Sequence, residues 1–534
     1  MRPGTRLAAL AVLALLLGTA LAQARPAPDT ATLLQRIEEQ DKRIEALEHK
    51  RGLLESQEAA AATYPGAAGA AAQRAAGQLS AQQSTAKPPA VPQTTGATPS
   101  SPSTAVQGAT AAVSQRAATA NEAPGLVSAG SVKAGPAGFS FASEDGANVI
   151  RFRGNLAMDG RWFMDHATPE SDDTFVFRKV RPYIEGTIDN DYDFRFMPDF
   201  AGGRTIILDA FMTARLLPGL AIQAGKFKGP VGLERLQPDQ YNMFTELGLP
   251  SDLVPNRDLG VEIGGDILGG TFGYAIGEFD GVVDGNGTEA NSNPDAGSNG
   301  GKKDTEARVF TQPFVNSGIY ALRGLGFGLG GTYVNTQGSA TNTLLPSYRT
   351  TGQNTFFTYR TGTTGTFADG RRERWTPQAF YYVGSFGALA EYVESEQDVS
   401  RQLTTAMKRS GRVDNRAYQV LLSYYLTGET ASYNSITPRT TFHPGNGGWG
   451  AWQVVARYSE LQIGADAFTG GSQSFADPSV SSRTARAVGV GINWWLNANV
   501  KWVLDYEVTQ FEGGATTGKR APEKALTTRF ALTF

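Results

Sequence analysis

The last fifty residues of the chain alternate. Val488, Val490, Ile492 and Trp494 are separated by Gly489, Gly491 and Asn493, and after Leu496-Asn497-Ala498-Asn499 the pattern restarts. Val500, Trp502, Leu504, Tyr506 and Val508 then fall on one face, with Lys501, Asp505, Glu507 and Thr509 on the other. Leu526, Thr528, Phe530, Leu532 and Phe534 repeat the pattern once more. A period of two means strands with one apolar face. The opposite face is charged and therefore wet. Apolar outside and polar inside is the inverse of a soluble barrel and fits a barrel standing in lipid.

The composition supports this and excludes several alternatives. Beyond residue 22 there is no run of eighteen apolar residues, which excludes transmembrane helices. The 63 glycines, 18 tyrosines and 28 phenylalanines suit tight turns, strands and aromatic girdles. With no cysteine, disulfides and thiolate metal sites cannot form. A net charge of −3 argues against nucleic acid as a partner. Three histidines, His49, His166 and His443, lie far apart and offer neither a metal site nor a catalytic pair. Gly326-Phe-Gly-Leu-Gly-Gly331 matches a dinucleotide fingerprint but opens a strand with no helix after it. Asp284-Gly-Asn-Gly lacks the closing glutamate of a calcium loop. The expectation is a non-enzyme without cofactor.

Four segments follow from the pattern. Residues 1–22 read as a secretory signal, with Arg2 and Arg6 before the apolar run Leu7 to Leu17. Residues 29–58 place Leu33, Ile37, Ile44, Leu47 and Leu54 on heptad positions of a short coiled-coil helix, interrupted by Gln40 and Arg51. Residues 59–135 are Ala, Gln, Ser, Thr, Pro and Gly, a disordered linker. Residues 139–534 give about 16 alternating segments, an even number sized for an aqueous channel. Among them are strands near 375–384, 387–396 and 412–427. Long loops fall at one end, at 164–173, 229–257, 281–303, 337–374, 397–411, 464–481 and 512–521. That end is expected to face outward, with the N-terminal helix on the periplasmic side. The long inner turn 428–448 has no sequence-level explanation.

The first strand puts Arg151, Arg153, Asn155, Asp159 and Arg161 opposite Ile150, Phe152, Leu156, Met158 and Trp162. An arginine facing lipid at mid-depth costs roughly 2–4 kcal/mol, so the arginines line the lumen. In the second strand Lys179 and Arg181 share that face with Glu185, while Arg178 falls on the opposite face near the outer rim. This is a basic stripe that would draw anions along the wall. The competing account is ordinary lumen lining, its arginines paired with acids on neighbouring strands. The loop after Lys226 and Lys228, through Arg235 to Arg257, carries Pro230, Pro238, Pro250 and Pro255 and must pack on something. Folded into the barrel mouth it would set Lys228 and Arg235 at a constriction; the other option is packing against a neighbouring subunit.

Several blocks resemble the phosphate-selective porin O and P family. They are Phe177-Arg-Lys-Val-Arg-Pro-Tyr-Ile-Glu-Gly186, Leu208-Asp-Ala-Phe211, Gly225-Lys-Phe-Lys-Gly-Pro-Val-Gly-Leu-Glu234, Gly450 to Tyr458, Gly489 to Asn497 and Thr528 to Phe534. The resemblance covers roughly 139–534. It implies a trimeric outer-membrane channel in which an arginine ladder and constriction lysines draw in phosphate-like anions. Arg151, Arg153, Arg178, Lys179, Arg181, Lys226, Lys228 and Arg235 are the positions that map. Residues 337–374 offer Arg349, Arg360, Arg371, Arg372 and Arg374 where the family carries lysines. The rival functions are a general or other-solute porin and a structural envelope tether with a plugged barrel.

Overall fold

The computed structural model describes residues 130–534 except 136–137, 165–171, 204, 286–300 and 405. The signal, the coiled-coil helix and nearly all of the linker lie outside the described residues. The linker's last residues differ from expectation: Ser131–Gly135 form a strand.

Sixteen antiparallel strands make the wall. They are β1 (Val149–Phe163), β2 (Thr174–Ile188), β3 (Tyr192–Asp199), β4 (Ile206–Leu217), β5 (Leu220–Lys228), β6 (Arg257–Ile267), β7 (Phe272–Phe279) and β8 (Asp304–Thr311). They continue as β9 (Leu325–Gln337), β10 (Thr366–Val383), β11 (Phe386–Gln402), β12 (Lys408–Tyr425), β13 (Ala451–Gln462), β14 (Ser482–Trp495), β15 (Val500–Ala515) and β16 (Glu523–Thr533). Each pairs with the next, and β16 returns to β1 through Leu526↔Trp162, Phe530↔Met158 and Leu532↔Leu156. Closure removes the unpaired edges that an open sheet would present to lipid. Where β16 stops, Phe534 and Gly154 exchange both backbone hydrogen bonds at 3.0 Å. A hairpin of Ser131–Gly135 and Gly138–Ala142 takes over the lower half of β1, pairing Phe141 with Ile150 and Phe139 with Phe152.

Alternation sets the two faces. On β12, Val420, Leu422 and Tyr424 point outward at 45, 44 and 51% exposure, while the intervening Gln419 and Ser423 are buried inside. Outward rings gather at two levels. Tyr418 packs on Tyr458 and Trp375 on Tyr392 at the upper level; Trp452 stacks on Trp494 at 4.9 Å at the lower. On β13 the levels, Tyr458 and Trp452, are six residues apart, about 20 Å at a rise of roughly 3.4 Å each, close to the ~25 Å apolar band of such barrels. Above the tyrosines the outward positions turn charged: Arg416 meets Glu394 at 3.0 Å, Arg412 meets Asp398 at 2.8 Å, and Arg486 bridges Glu460 and Glu512 at 3.0 and 2.7 Å. Hydrocarbon therefore ends at the upper tyrosines.

The wall is uneven. β3, β7 and β8 have eight residues each, whereas β10, β11 and β12 have 18, 17 and 18. The long strands correct three expected segments. β10 begins at Thr366, so Arg371, Arg372 and Arg374 belong to a strand rather than to a loop. β11 runs on to Gln402 and β12 begins at Lys408, so most of the expected loop 397–411 belongs to the two strands. The reason is the charged outward row: these strand ends stand above the apolar band, so they alternate charged with polar and carry no hydrophobic signal.

Val420→Arg places a cation in the apolar band and should cost about 2–4 kcal/mol of folding free energy into lipid vesicles, read by denaturant titration of tryptophan fluorescence. A change below about 0.5 kcal/mol, as at an ordinary solvated surface, would mean that this face does not meet hydrocarbon.

Candidate functional site

Residues 229–256 leave β5, fold into the barrel and return at β6. Four prolines and the short helical turns Leu233–Leu236, Asp239–Tyr241 and Leu249–Asp252 stiffen the loop. Val231, Leu233, Met243, Phe244, Leu249, Leu253 and Val254 of the loop are buried, and Leu236 and Leu247 are half-buried. The buried ones pack against inward residues of the far wall such as Leu389, Val393, Leu421 and Val455. Backbone groups of the loop that helices or strands would otherwise satisfy are met by the wall. Leu233 N donates to Glu391 Oε1 at 2.6 Å and Thr245 N to Asp505 Oδ2 at 2.7 Å, while within the loop Gly248 N donates to Glu234 Oε2 at 2.8 Å. Lys501 Nζ donates to the Asn242 carbonyl at 2.7 Å, Asn493 Nδ2 to the Met243 carbonyl at 2.9 Å and Arg457 Nη1 to the Glu246 carbonyl at 2.8 Å.

The inner turn 426–450, unexplained by sequence, props this loop from below. Tyr433 Oη donates to the Leu233 carbonyl at 2.5 Å, and Gln237 Nε2 donates to the Tyr433 carbonyl at 2.9 Å. Ala431 and Ile436 pack with Tyr425, Ala451 and Trp495 beneath Tyr241.

On the basic wall the loop delivers two carboxylates. Glu246 receives Arg178 Nε and Nη2 at 2.6 and 2.9 Å and Arg161 Nη2 at 3.2 Å, with Arg529 Nη2 at 3.5 Å. Asp239 receives Lys228 Nζ at 3.0 Å, lies 3.1 Å from Lys179 Nζ, and is bonded by Arg181. Burial alone would raise the Glu246 carboxyl; Arg178, Arg161 and Arg529 more than reverse this and hold it at about 2. Burial opposes the Asp239 charge in the same way, and Lys179, Lys228 and Arg181 overcome it, keeping the carboxyl well below its ordinary range. Deeper in the loop the balance tips the other way: burial lowers Arg235 to about 10 and raises Asp252 well above a normal aspartate.

The sequence-derived residues fall into three groups. Arg161, Arg178, Lys179, Arg181 and Lys228 converge on the two loop carboxylates. Arg151 and Arg153 sit below them on β1; Arg153 Nε is 2.6 Å from Glu185, which also binds Arg195 at 2.7 Å. The third group is locked into the fold. Arg257 Nε donates to Asp209 at 2.5 Å, Arg235 Nη2 donates to the Ser251 carbonyl at 2.7 Å, and Lys226 is buried on β5 with partners of its own.

Arg178 requires a correction. Strict alternation sends it away from the lumen. In the structure Ala157 pairs with Lys179 and Met158 with Phe177, leaving Arg178 as the extra residue of a β-bulge. A bulge re-aims one side chain, and the Arg178 guanidinium reaches inward to Glu246. Arg371, Arg372 and Arg374 also move: Arg372 and Arg374 point inward to Asp304 at 3.2 and 3.0 Å, and Arg371 pairs with Glu373 at 3.3 Å. Asp239, Glu246 and Arg529 are functional candidates that sequence reasoning missed. Arg529 could have been found, because it alternates with Thr528 and Phe530. The loop acids carry no such signal.

Where loop meets wall the space is small. A cavity of about 20 Å³ is lined by Lys179, Asp239, Asn242, Lys501 and Arg529, and one of about 10 Å³ by Thr245, Arg457, Asp505, Glu507 and Thr527. Such volumes hold about one water.

A closed barrel with an apolar exterior, ion-paired strand ends above its girdle and a charged loop inside it defines an outer-membrane porin, a channel rather than an enzyme. The chain belongs to the phosphate-selective porin O and P family, whose model matches residues 150–534. No curated protein matches it. Among solved structures it is similar to the outer membrane channel DcaP of Acinetobacter baumannii at 11% identity, covering 74% of this chain and 100% of that one with a TM-score of 0.47. It is also similar to the anion-selective porin from Comamonas acidovorans (12%, 72% and 100%, 0.45) and to OmpT of Vibrio cholerae (11%, 73% and 98%, 0.43). These are distant likenesses.

Glu246 is depressed in the folded state, so its contribution is complete above its ordinary value of 4.5 and fades as pH falls toward about 2. Hydrogen-exchange protection across 239–252, corrected for the intrinsic amide rate at each pH, should hold at pH 5 and fall between pH 4.5 and 2. Equal protection at both ends of that window would mean that the charge does not hold the loop.

Proposed function

We propose that this porin passes small anions, phosphate or related oxyanions, by passive diffusion along the inner face of β1 and β2. What carries the proposal is the convergence of six cations, Arg161, Arg178, Lys179, Arg181, Lys228 and Arg529, from four strands onto two places in the lumen. Each place holds a carboxylate, an oxyanion of the chain's own. Arg151 and Arg153 continue the basic face toward the periplasm, so that a solute meets several weak sites in succession. Conduction requires release, which one tight site would prevent. Arg235, Lys226 and Arg257 act by fixing the loop and its flanking strands. No bond is broken and no cofactor is needed.

A homotrimer in outer-membrane lipid belongs to the same proposal. The low stretch β3–β8, with Phe196, Met212, Val261 and Ile276 outward and exposed, is a wall suited to a second copy. A second reading, the envelope tether with a plugged barrel, is favoured by one observation: the spaces at the loop–wall contact hold about one water each.

Planar bilayers separate these. Under a potassium chloride gradient the reversal potential should take the sign of chloride preference, and added inorganic phosphate should reduce the chloride current. Cation preference would remove the anion claim and leave a porin for other solutes. Absence of any conductance step in either polarity would leave the tether.

A further inference from the structure

Around Glu246, three cations (Arg161, Arg178, Arg529) face two carboxylates, because Asp159 also binds Arg529 at 2.6 Å and lies 3.5 Å from Arg161. Around Asp239, three cations (Lys179, Arg181, Lys228) again face two carboxylates, because Asp199 binds Arg181 at 2.7 Å. Withdraw the loop acid from either place and three cations face one wall carboxylate. Each place is thus an anion socket built by the wall and filled by the loop. The two sockets adjoin: Arg178 serves one and its neighbour Lys179 the other, side by side because of the bulge in β2.

We propose that Glu246 and Asp239 are tethered occupants of these sockets, and that a permeating oxyanion opens the path by taking their place. The inference rests on the anion reading above and adds to it the residues that set affinity and access. Its logic is competition. A carboxylate already held in the socket competes with any incoming anion, which therefore binds with a lowered apparent affinity. The chain pays nothing in unpaired buried charge while the channel is empty, since each cation keeps a partner. The same loop narrows the lumen beside β1 and β2, so an anion that takes the place of its acids also widens the passage there. An anion bearing two or more oxygens fits a socket best, because it can accept from the guanidinium forks that now bind Glu246 through both its oxygens.

The test uses the full-length protein in planar bilayers, with inorganic phosphate as probe. Glu246→Gln and Asp239→Asn should each raise chloride conductance roughly threefold or more and lower the half-inhibitory phosphate concentration roughly tenfold. Both quantities within about twofold of wild type would overturn the inference and make the acids fixed struts. A second variant guards against misfolding. Thr245 Oγ1 of the loop lies 2.9 Å from Thr527 Oγ1 of the wall, and the chain has no cysteine of its own. Once thiol titration shows the bridge closed, oxidised T245C/T527C should lose its conductance and regain it with dithiothreitol; equal conductance in both states overturns the proposal. A cation-selective wild type would defeat the anion reading itself. An anion-selective wild type with unchanged variants defeats only the tethered occupants.

Discussion

A guanidinium removed from water is tolerated only where a carboxylate meets it, and this barrel is arranged around that requirement. Its outer face contributes nothing to filling the interior, because every apolar residue there is committed to lipid. The interior must therefore be held by polar groups that satisfy one another. Arg374 is fixed by Asp284 at 2.7 Å and by Asp304, Arg457 by Glu507 at 2.8 Å, and Arg529 by Asp159 at 2.6 and 2.8 Å. On these pairs the loop 229–256 lies as a second layer. Its apolar residues fill the centre and its acids finish the charge balance of β1 and β2. Loop, wall and inner turn then support one another: Tyr433 and Gln237 tie the turn to the loop, and Phe244 sits under Arg457 at 4.2 Å.

Much of this was legible in the chain. Period-two alternation located all sixteen strands, since a residue placed on the wrong face of a lipid-embedded strand is penalised at once. The same rule assigned Arg151, Arg153, Arg161, Lys179 and Arg181 to the lumen. It failed where the physics changes. β10 and β11 extend past the apolar band, where no alternation of hydrophobicity marks a strand, and Arg372 and Arg374 went with them. Arg178 was placed on the wrong face because a bulge leaves no trace in the composition of a strand.

The partners of the basic residues were not legible at all. Glu246 lies 68 residues from Arg178 and 283 from Arg529 in sequence, and Asp239 is 58 from Arg181. Those separations are spanned only once the barrel has closed and the loop has turned inward. The inner turn 426–450 is the same case. Its length is unexplained as a connection between β12 and β13 and explained as the lower support of a loop contributed by β5 and β6.

The bulge in β2 has one further consequence, for how such a wall can diverge. Two successive cations on one side cannot arise in a regular strand by substitution alone. Losing Arg178 would restore regular pairing between β1 and β2, with Phe175 and Phe177 still outward, and would remove one of the two adjoining cations. A descendant of such a barrel can thus shed the side-by-side charges in one deletion without disturbing the rest of β2, and can regain them only by an insertion.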